Sequence, residues 1–394
     1  MTPSARVQAA IELLDEVIAA AREGGAAADM LIARYFKTRR YAGSSDRRAV
    51  RELVFRAIRR AGEPPGSGRA AMLGLAADDS GLLPLFDGSP HGPEPVRAGE
   101  PAAPAGLAPQ WLLDRFDPAL APEEELPALL ERAPLDLRVN RLKASPEAAL
   151  AQLPGAEPIG LVPFGLRVPD GLGVERTDAW QAGMVEVQDA GSQLICLGCE
   201  AAPGMLAIDL CAGAGGKTLA LAAEMENRGR IIACDTDRGR LSHMPPRLTR
   251  AGATIVESRL LDPGGESEAL ADVKGQADLV LVDAPCSGTG TWRRNPETRW
   301  RVTPERLRRL AALQARLLDI GAALLRPGGS LVYAVCSLLA EEGRDQAEAL
   351  GARSSLVPER PAIAAGRPAG VGLLLSPARD RTDGFFVARW RCPC

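Results

Sequence analysis

MLAIDLCAGAGGKT, residues 205–218, has the form of a buried strand that runs into a glycine-rich loop and then into a helix. Four later stretches repeat the apolar strand that ends at a small or acidic residue: RGRIIACDTD (228–237), GATIVES (252–258), ADLVLVDAPC (277–286) and GSLVYAVCS (329–337). Helical segments alternate with these strands. The alternation predicts an α/β fold with a parallel sheet between helices, and a ligand crevice beyond the carboxyl ends of the strands.

The composition excludes several classes of protein. The 394 residues are 46% apolar, yet no run of about 18 uncharged apolar residues occurs. The N-terminus has no signal-peptide core, so we expect a cytoplasmic protein without a membrane partner. Eight scattered cysteines indicate reduced thiols. The Cys196-x-x-Cys199 pair lacks a second pair at zinc-like spacing, and only two histidines are present, so no metal is expected.

Positive charge is concentrated in two places although the formal net charge is −3. Residues 34–60 hold ten Lys and Arg against Asp46 and Glu52, and residues 292–309 hold seven Arg against two Glu. A solvated helix face is the alternative explanation for each patch. Two such patches in an acidic chain favour a polyanion as the partner.

The chain divides by pattern into four expected segments. Residues 1–62 show helical periodicity, and residues 63–109 are rich in Gly and Pro and predict a poorly structured linker. Residues 110–187 contain short strand-like pieces and predict a small α+β module. Residues 188–394 form the expected α/β domain.

The glycine-rich loop allows three interpretations. A Walker A loop needs glycine where Cys211 stands, and a dinucleotide fingerprint needs a spacing that Gly213, Gly215 and Gly216 do not have. The remaining ligand is an adenosine bearing an amino-acid group, as in S-adenosyl-L-methionine, with Asp235 accepting the ribose hydroxyls. A simple glycine turn stays open as the alternative. The residues predicted to bind the cofactor are Cys211, Ala212, Gly213, Ala214, Gly215, Gly216, Lys217 and Asp235.

Two cysteines follow predicted strands, Cys286 in DAPCSGTG (283–290) and Cys336 in VCS (335–337). If these strands are neighbours, both thiols and Asp283 face the same ligand. Carbon 5 of a pyrimidine becomes nucleophilic only after a thiolate adds at carbon 6, and the adduct is released when the carbon 5 proton is removed. A thiol pair at this place suits that chemistry.

Three stretches resemble the RsmB/Nop (Sun) family of RNA 5-methylcytosine methyltransferases: IDLCAGAGGKTLALA (208–222), LVDAPCSGTGTWRRNPE (281–297) and LVYAVCSLLAEE (331–342). The resemblance extends over about residues 137–391. It implies a Rossmann-like class I methyltransferase sheet, preceded by a small α+β module and an N-terminal helical NusB-like domain that binds RNA. The chain departs from the family pattern at Val335, Ala340 and Gly343, where Thr, Pro and Asn are usual.

The resemblance also implies a role for each site residue. Cys336 would be the nucleophile, Cys286 would aid product release, Asp283 would hold the cytosine edge, and Lys217 would lie beside them. Asp283 and Asp262 would complete the S-adenosyl-L-methionine site, Asp262 as a candidate for the adenine amine. The arginines expected to contact phosphates are Arg293, Arg294 and Arg299.

The expected function is transfer of a methyl group to carbon 5 of a cytosine in RNA. Ribosomal RNA is favoured over transfer RNA as the substrate, and the protein is expected to be a monomer. The alternative is an RNA-binding ribosome-assembly factor with weak or no catalysis. The intact thiol pair favours the enzyme.

Overall fold

The computed structural model describes all 394 residues, and their contacts form two compact units. The helical unit contains residues 1–116, 126–131 and 291–303. The sheet unit contains residues 117–125, 132–290 and 304–394. No helix is both long and apolar enough to cross a lipid bilayer.

The helical unit is built on four helices around one apolar core: α1 (Pro3–Glu23), α2 (Ala28–Thr38), α3 (Ser44–Arg60) and α4 (Gly68–Asp78). Helix α1 begins where the Thr2 hydroxyl accepts a hydrogen bond from the Ala5 N–H, and it ends at Gly24, whose φ is +75°. The expected helical character of the N-terminal part is confirmed.

Residues 63–109 differ from the expected linker because α4 lies inside them. Met72 of this helix is fully buried in the core of the helical unit. The helix approaches α1 so closely that a Cβ on Gly68 would lie 2.1 Å from the carbonyl oxygen of Ile11. Gly68, one of the glycines that made the segment look unstructured, therefore permits close helix packing, and the boundary expected at residue 62 does not separate compact units.

The segment 291–303 belongs to the helical unit, where its 3-10 helix Pro296–Trp300 contacts helix ends. Arg299 is fully buried, and its guanidinium donates to the carbonyl oxygens of Arg59 and Ala61, each at 2.9 Å, and to that of Ile58. All three hydrogen bonds come from the Nη2 atom, so the structure gives Arg299 a role at the end of α3, and its predicted contact with phosphate stays a prediction. Arg293 is also buried and does not present its charge to a polyanion.

The small module in the sheet unit follows two short helices, and it ends at the helix that leads into the main sheet. The elements in this part of the chain are α5 (Gln110–Leu113), α6 (Pro122–Ala128), β1 (Leu135–Val139), α7 (Pro146–Ala151), β2 (Glu157–Pro158), β3 (Gly165–Val168), α8 (Asp178–Gln181), β4 (Val185–Val187) and α9 (Ala190–Gly198). The four strands of the module are antiparallel in the order β2-β3-β1-β4.

The main sheet and its helices are formed by β5 (Leu206–Asp209), α10 (Gly216–Glu224), β6 (Arg230–Asp235), α11 (Arg238–Ser242), α12 (Met244–Ala251), β7 (Val256–Leu260), α13 (Glu266–Ala269), β8 (Ala277–Asp283), α14 (Pro304–Leu324), β9 (Leu325–Val335), α15 (Arg344–Arg353), β10 (Val357–Glu359), β11 (Arg367–Ala369), β12 (Gly372–Leu375), α16 (Pro377–Asp380) and β13 (Phe385–Arg391). The sheet has nine strands in the order β11-β12-β13-β9-β8-β5-β6-β7, with β10 paired to β13. Five strands are parallel, namely β7, β6, β5, β8 and β9, and β13 joins β9 in the antiparallel direction.

This topology confirms the expected Rossmann-like α/β fold. Asp209, Asp235 and Asp283 end three of the parallel strands, and Cys336 directly follows a fourth. Strands β8 and β9 are neighbours in register, with Asp283 opposite Ala334. The sheet therefore carries the predicted site residues to one edge.

Candidate active site

Two thiols form the centre of the site. The Sγ atoms of Cys286 and Cys336 lie 3.3 Å apart, and both side chains are half-buried. Two backbone hydrogen bonds hold the strand ends together: the Ala284 N–H donates to the Ala334 carbonyl at 2.9 Å, and the Gly290 N–H donates to the Cys336 carbonyl at 3.0 Å. Adjacent parallel strands thus bring together two cysteines that are 50 residues apart in sequence.

The two thiols interact with each other through their acid–base equilibria. The hydrogen bond with Cys336 and burial together raise the pKa of the Cys286 thiol well above its ordinary value, and the charge of Cys336 raises it further. Cys286 is therefore a thiol at neutral pH while Cys336 lies beside it.

An ion pair lies at the same edge of the sheet. The Lys217 Nζ atom donates to the Asp283 Oδ2 atom at 2.7 Å, with the two side chains 11% and 29% exposed. Burial is the largest single effect on the pKa of Lys217 and lowers it, but the Asp283 carboxylate together with Cys196 and Cys336 raises it, so the net shift is upward. Lys217 is thus a permanent cation that can donate a hydrogen bond but cannot act as a base.

The glycine-rich loop joins β5 to α10. Gly213 and Gly215 have φ of +56° and +85°, a region in which residues with a Cβ are strained. The Gly213 N–H donates to the Asp235 Oδ2 atom at 2.7 Å, and the Asp237 N–H donates to its Oδ1 atom at 2.8 Å. A Cβ on Gly216 would meet nothing within 4 Å, so the loop is open at the start of the helix.

The chain is similar in sequence to one family of methyltransferases and to two bacterial proteins. The sequence pattern of the family 16S rRNA methyltransferase RsmB/F matches residues 199–391. The chain is 36% identical over 291 residues to ribosomal RNA small subunit methyltransferase B of Enterobacter sp. (strain 638), covering 72% of this chain and 66% of that protein. It is 35% identical over 289 residues to the protein of the same name from Klebsiella pneumoniae, covering 72% and 65%. The chain belongs to the RsmB/F methyltransferase family.

Solved structures share this fold. The crystal structure of PH0851 superposes with a TM-score of 0.75 at 24% identity and covers 99% of each chain. A methyltransferase homologue from Pyrococcus horikoshii gives a TM-score of 0.63 at 29% identity, covering 73% of this chain and 96% of that one. The chain spans just under two thirds of the length of the two bacterial relatives described above.

Members of this family use S-adenosyl-L-methionine, so family membership confirms the expected cofactor. The residues present fit that molecule. Free N–H groups at the start of α10 suit its carboxylate, and Asp235, which ends β6, suits hydroxyls. Arg240 pairs with Asp235 at 3.6 Å, but its side chain is 58% exposed and can move away without unpacking the core.

Four predicted residues are not among these groups: Asp262 follows β7, and Arg293, Arg294 and Arg299 belong to the helical unit. Asp262 is exposed after β7, and its proposed contact with adenine stays a prediction. Arg294 lies half-buried in the helical unit and also stays a prediction. The other predicted residues, from Cys211 to Lys217 with Asp235, Asp283, Cys286 and Cys336, lie at the carboxyl edge of the parallel strands.

Sequence reasoning missed two buried carboxyl groups of the RsmB/F site. Asp209 accepts a hydrogen bond from the Thr218 hydroxyl at 2.7 Å, and burial raises its pKa to about 7. Glu342 accepts hydrogen bonds from the loops that follow both cysteines. An acidic residue that ends an apolar strand was a visible signal for Asp209. Glu342 gave no such signal, because two of its partners, Ser287 and Gln314, come from distant parts of the sequence.

Proposed function

We propose that this chain transfers a methyl group from S-adenosyl-L-methionine to carbon 5 of a cytosine in ribosomal RNA, through a covalent adduct with Cys336. The observation that supports the proposal best is the 3.3 Å separation of two thiols beside the Lys217–Asp283 pair. The relatives named small subunit methyltransferase B favour RNA of the small ribosomal subunit as the substrate.

Cys336 is the nucleophile in this proposal. It follows the last residue of β9 directly, and its carbonyl is fixed by Gly290. Its thiolate adds to carbon 6 of the cytosine, which makes carbon 5 nucleophilic. The cofactor supplies an electrophilic methyl group, and the loop from Cys211 to Lys217 with Asp235 would hold it.

Cys286 then removes the proton from carbon 5, and the bond between Cys336 and carbon 6 breaks. The surroundings of Cys286 fit this order of events. Its raised pKa depends first on the hydrogen bond with Cys336, then on burial and on the Cys336 charge. Once Cys336 is bonded to carbon, the hydrogen bond and that charge are gone, so Cys286 releases its own proton to water more easily, and the resulting thiolate takes the proton from carbon 5.

Asp283 and Lys217 bind the base. The carboxylate of Asp283 accepts a hydrogen bond from the exocyclic amine of cytosine, a donor that uracil lacks. Lys217 orients this carboxylate through their 2.7 Å contact. The pair therefore accounts for the choice of cytosine over uracil.

The helical unit offers a surface for the rest of the RNA. Ten Lys and Arg lie between residues 34 and 60. Several are paired with carboxylates, such as Arg34 with Glu16 and Arg51 with Asp29. The exposed cations Lys37, Arg40 and Arg48 have no such partner and suit phosphates.

The test is to incubate the protein with donor carrying a labelled methyl group and with protein-free small-subunit RNA, and to map 5-methylcytosine by chemical deamination sequencing. We expect label at one cytosine with the wild type and none with Cys336→Ala. Label on another base would overturn the cytosine assignment. RNA binding without any transfer would favour the assembly-factor alternative.

A further inference from the structure

Glu342 is a fully buried carboxylate at the edge of the candidate site. It lies between β9 and α15, six residues after Cys336. All the groups that donate hydrogen bonds to its carboxylate are neutral: the N–H and hydroxyl of Ser287, the hydroxyl of Ser337 and the amide of Gln314. A buried carboxylate without a cation is costly unless every oxygen is well hydrogen-bonded, and such groups are retained where a particular geometry is needed.

The donors come from the residues that follow the two cysteines. The Ser287 N–H donates to Oε1 at 2.9 Å, and the Ser287 hydroxyl donates to Oε2. The Ser337 hydroxyl donates to the same Oε2 at 2.6 Å. One oxygen therefore receives hydroxyls from the residue after Cys286 and from the residue after Cys336.

Two further residues, Gln314 and Tyr333, hold Glu342 in place. The amide of Gln314 on α14 donates to Glu342 Oε1 at 3.1 Å and to the Pro285 carbonyl at 2.9 Å. The Tyr333 hydroxyl of β9 donates to the Glu342 carbonyl. The carboxylate is thus fixed by a neighbouring strand and a long helix rather than by the cysteine loops alone.

We infer that Glu342 is a positioning residue that holds Cys286 and Cys336 at their working distance by clamping Ser287 and Ser337. The inference rests on the two-thiol function proposed above. Only a carboxylate can accept all of these donors, because the nitrogen of a glutamine amide could bond the two serine hydroxyls only by reversing both hydrogen bonds, and it would face the Ser287 N–H, 3.2 Å from Oε2, with its own hydrogens. The charge of Glu342 also favours the protonated form of Cys286, after the larger effects of Cys336 and burial on the pKa of that thiol.

The test compares Glu342→Gln with Glu125→Gln. Glu125 is the control for loss of a buried carboxylate elsewhere in the sheet unit: it is also fully buried and accepts from the Ser376 hydroxyl at 2.6 Å and the Ala378 N–H at 2.8 Å, but it differs from Glu342 in pairing with Arg367 at 2.7 Å. A misplacement of about 1 Å lowers rates by about 100-fold. We therefore expect Glu342→Gln to lower kcat by about 100-fold with KM for RNA changed by less than about 3-fold, and Glu125→Gln to leave kcat within that same factor of about 3.

A second measurement does not depend on methyl transfer. Diamide takes two hydrogens from two thiols and leaves a disulfide, and the rate for a given pair falls as the sulfurs move apart. Without RNA or cofactor, the Cys286–Cys336 peptide should form in the wild type and in Glu125→Gln, and about tenfold more slowly in Glu342→Gln, as read by mass spectrometry.

Ser337→Ala removes only the clamp on the Cys336 side, and it replaces Glu342→Gln if that variant does not fold. It should slow the same disulfide and lower kcat by about tenfold. Unchanged kcat and an unchanged disulfide rate in the clamp variants would overturn the inference, as would an equal loss of kcat in Glu125→Gln. If the wild type transfers no methyl to RNA but the disulfide rate still depends on Glu342, the proposed function fails and the clamp stands.

Discussion

Cys286 and Cys336 have the same chemistry but different surroundings. Cys336 continues a regular strand, whereas Cys286 lies in the loop after β8 with a hydrogen bond to the other thiol. The proposed mechanism assigns the attack to Cys336 and the later proton transfer to Cys286, and the raised pKa of the Cys286 thiol beside Cys336 fits that order. The two residues should therefore differ in the step at which a mutant stops.

Cys286→Ala should form the adduct and transfer methyl but fail to release it. The expected result is a protein–RNA complex that survives denaturation on a gel and requires both cofactor and Cys336. Cys336→Ala should show neither methylation nor a covalent complex. Trapping in the Cys336 variant instead would mean that the two roles are exchanged. Normal turnover of Cys286→Ala would make Cys286 a simple turn residue.

Asp209 should make stability depend on pH. Burial raises its pKa from 3.8 to about 7, so the folded protein holds this proton more tightly than the unfolded chain does between these values. The contribution is present below the unfolded pKa and is lost as pH rises through 7. Relative to the wild type, Asp209→Asn should gain on the order of 4 kcal/mol of unfolding free energy between pH 4 and pH 8.

Urea unfolding of the cofactor-free protein across this pH range measures the difference. The exposed Asp319 on α14 supplies the control, because Asp319→Asn should run parallel to the wild type. A constant difference between Asp209→Asn and the wild type at every pH would show that the carboxyl does not titrate in this window.

At the scale of elements, helix ends explain two features of this protein. The prolines of HMPPR, residues 243–247, predict that a helix starts or restarts there, and α12 begins at Met244 with Pro245 and Pro246 in its first turn. The C-terminus of α3 depends on a distant segment instead. Arg299 and the Trp300 indole N–H, at 2.9 Å, both donate to the Ala61 carbonyl just after the helix.

Arg299→Ala should therefore destabilise the helical unit and leave RNA recognition unchanged. Loss of a buried donor to three carbonyls costs about 3 kcal/mol. Hydrogen exchange should increase in the last turn of α3, and the salt dependence of RNA binding by the folded protein should stay as in the wild type. Arg308→Ala, at an exposed position of α14, should alter neither. If Arg299→Ala instead lowers the salt dependence of RNA binding, Arg299 contacts phosphate although it is buried in this structure.

At the scale of the whole molecule, an acidic chain with local basic surfaces can bind RNA without a positive net charge. The hypothesis that the arginines at 292–309 bind RNA is weakened because Arg293 and Arg299 are buried. The N-terminal patch keeps exposed cations at Lys37, Arg40 and Arg48. Electrostatic RNA binding should accordingly depend on the helical unit.

Replacing Lys37, Arg40 and Arg48 together with Ala should weaken binding to small-subunit RNA and lower the log–log salt slope by about 2. Filter binding at several salt concentrations measures both quantities. The matched control replaces Arg34, Arg51 and Arg56, which changes the net charge equally but removes cations paired with Glu16, Asp29 and Asp79. Equal effects of the two triple variants would assign the change to net charge alone.

Local sequence patterns were enough to predict the α/β order, the glycine-rich loop and the thiol pair. These features are local: each parallel strand reads as an apolar run with its functional residue at the end, and Gly213 and Gly215 mark a loop that needs positive φ. Chain order then places the ends of β8 and β9 at the same edge of the sheet.

Only the tertiary structure decided what surrounds those ends. Glu342, the burial of Arg299 and the helix α4 inside a Gly- and Pro-rich segment all depend on partners far away in sequence. A charged residue looks the same in a sequence whether it faces water, a phosphate or the carbonyls of a helix end. Burial and hydrogen-bond partners separate these cases, and both are set by how the chain packs.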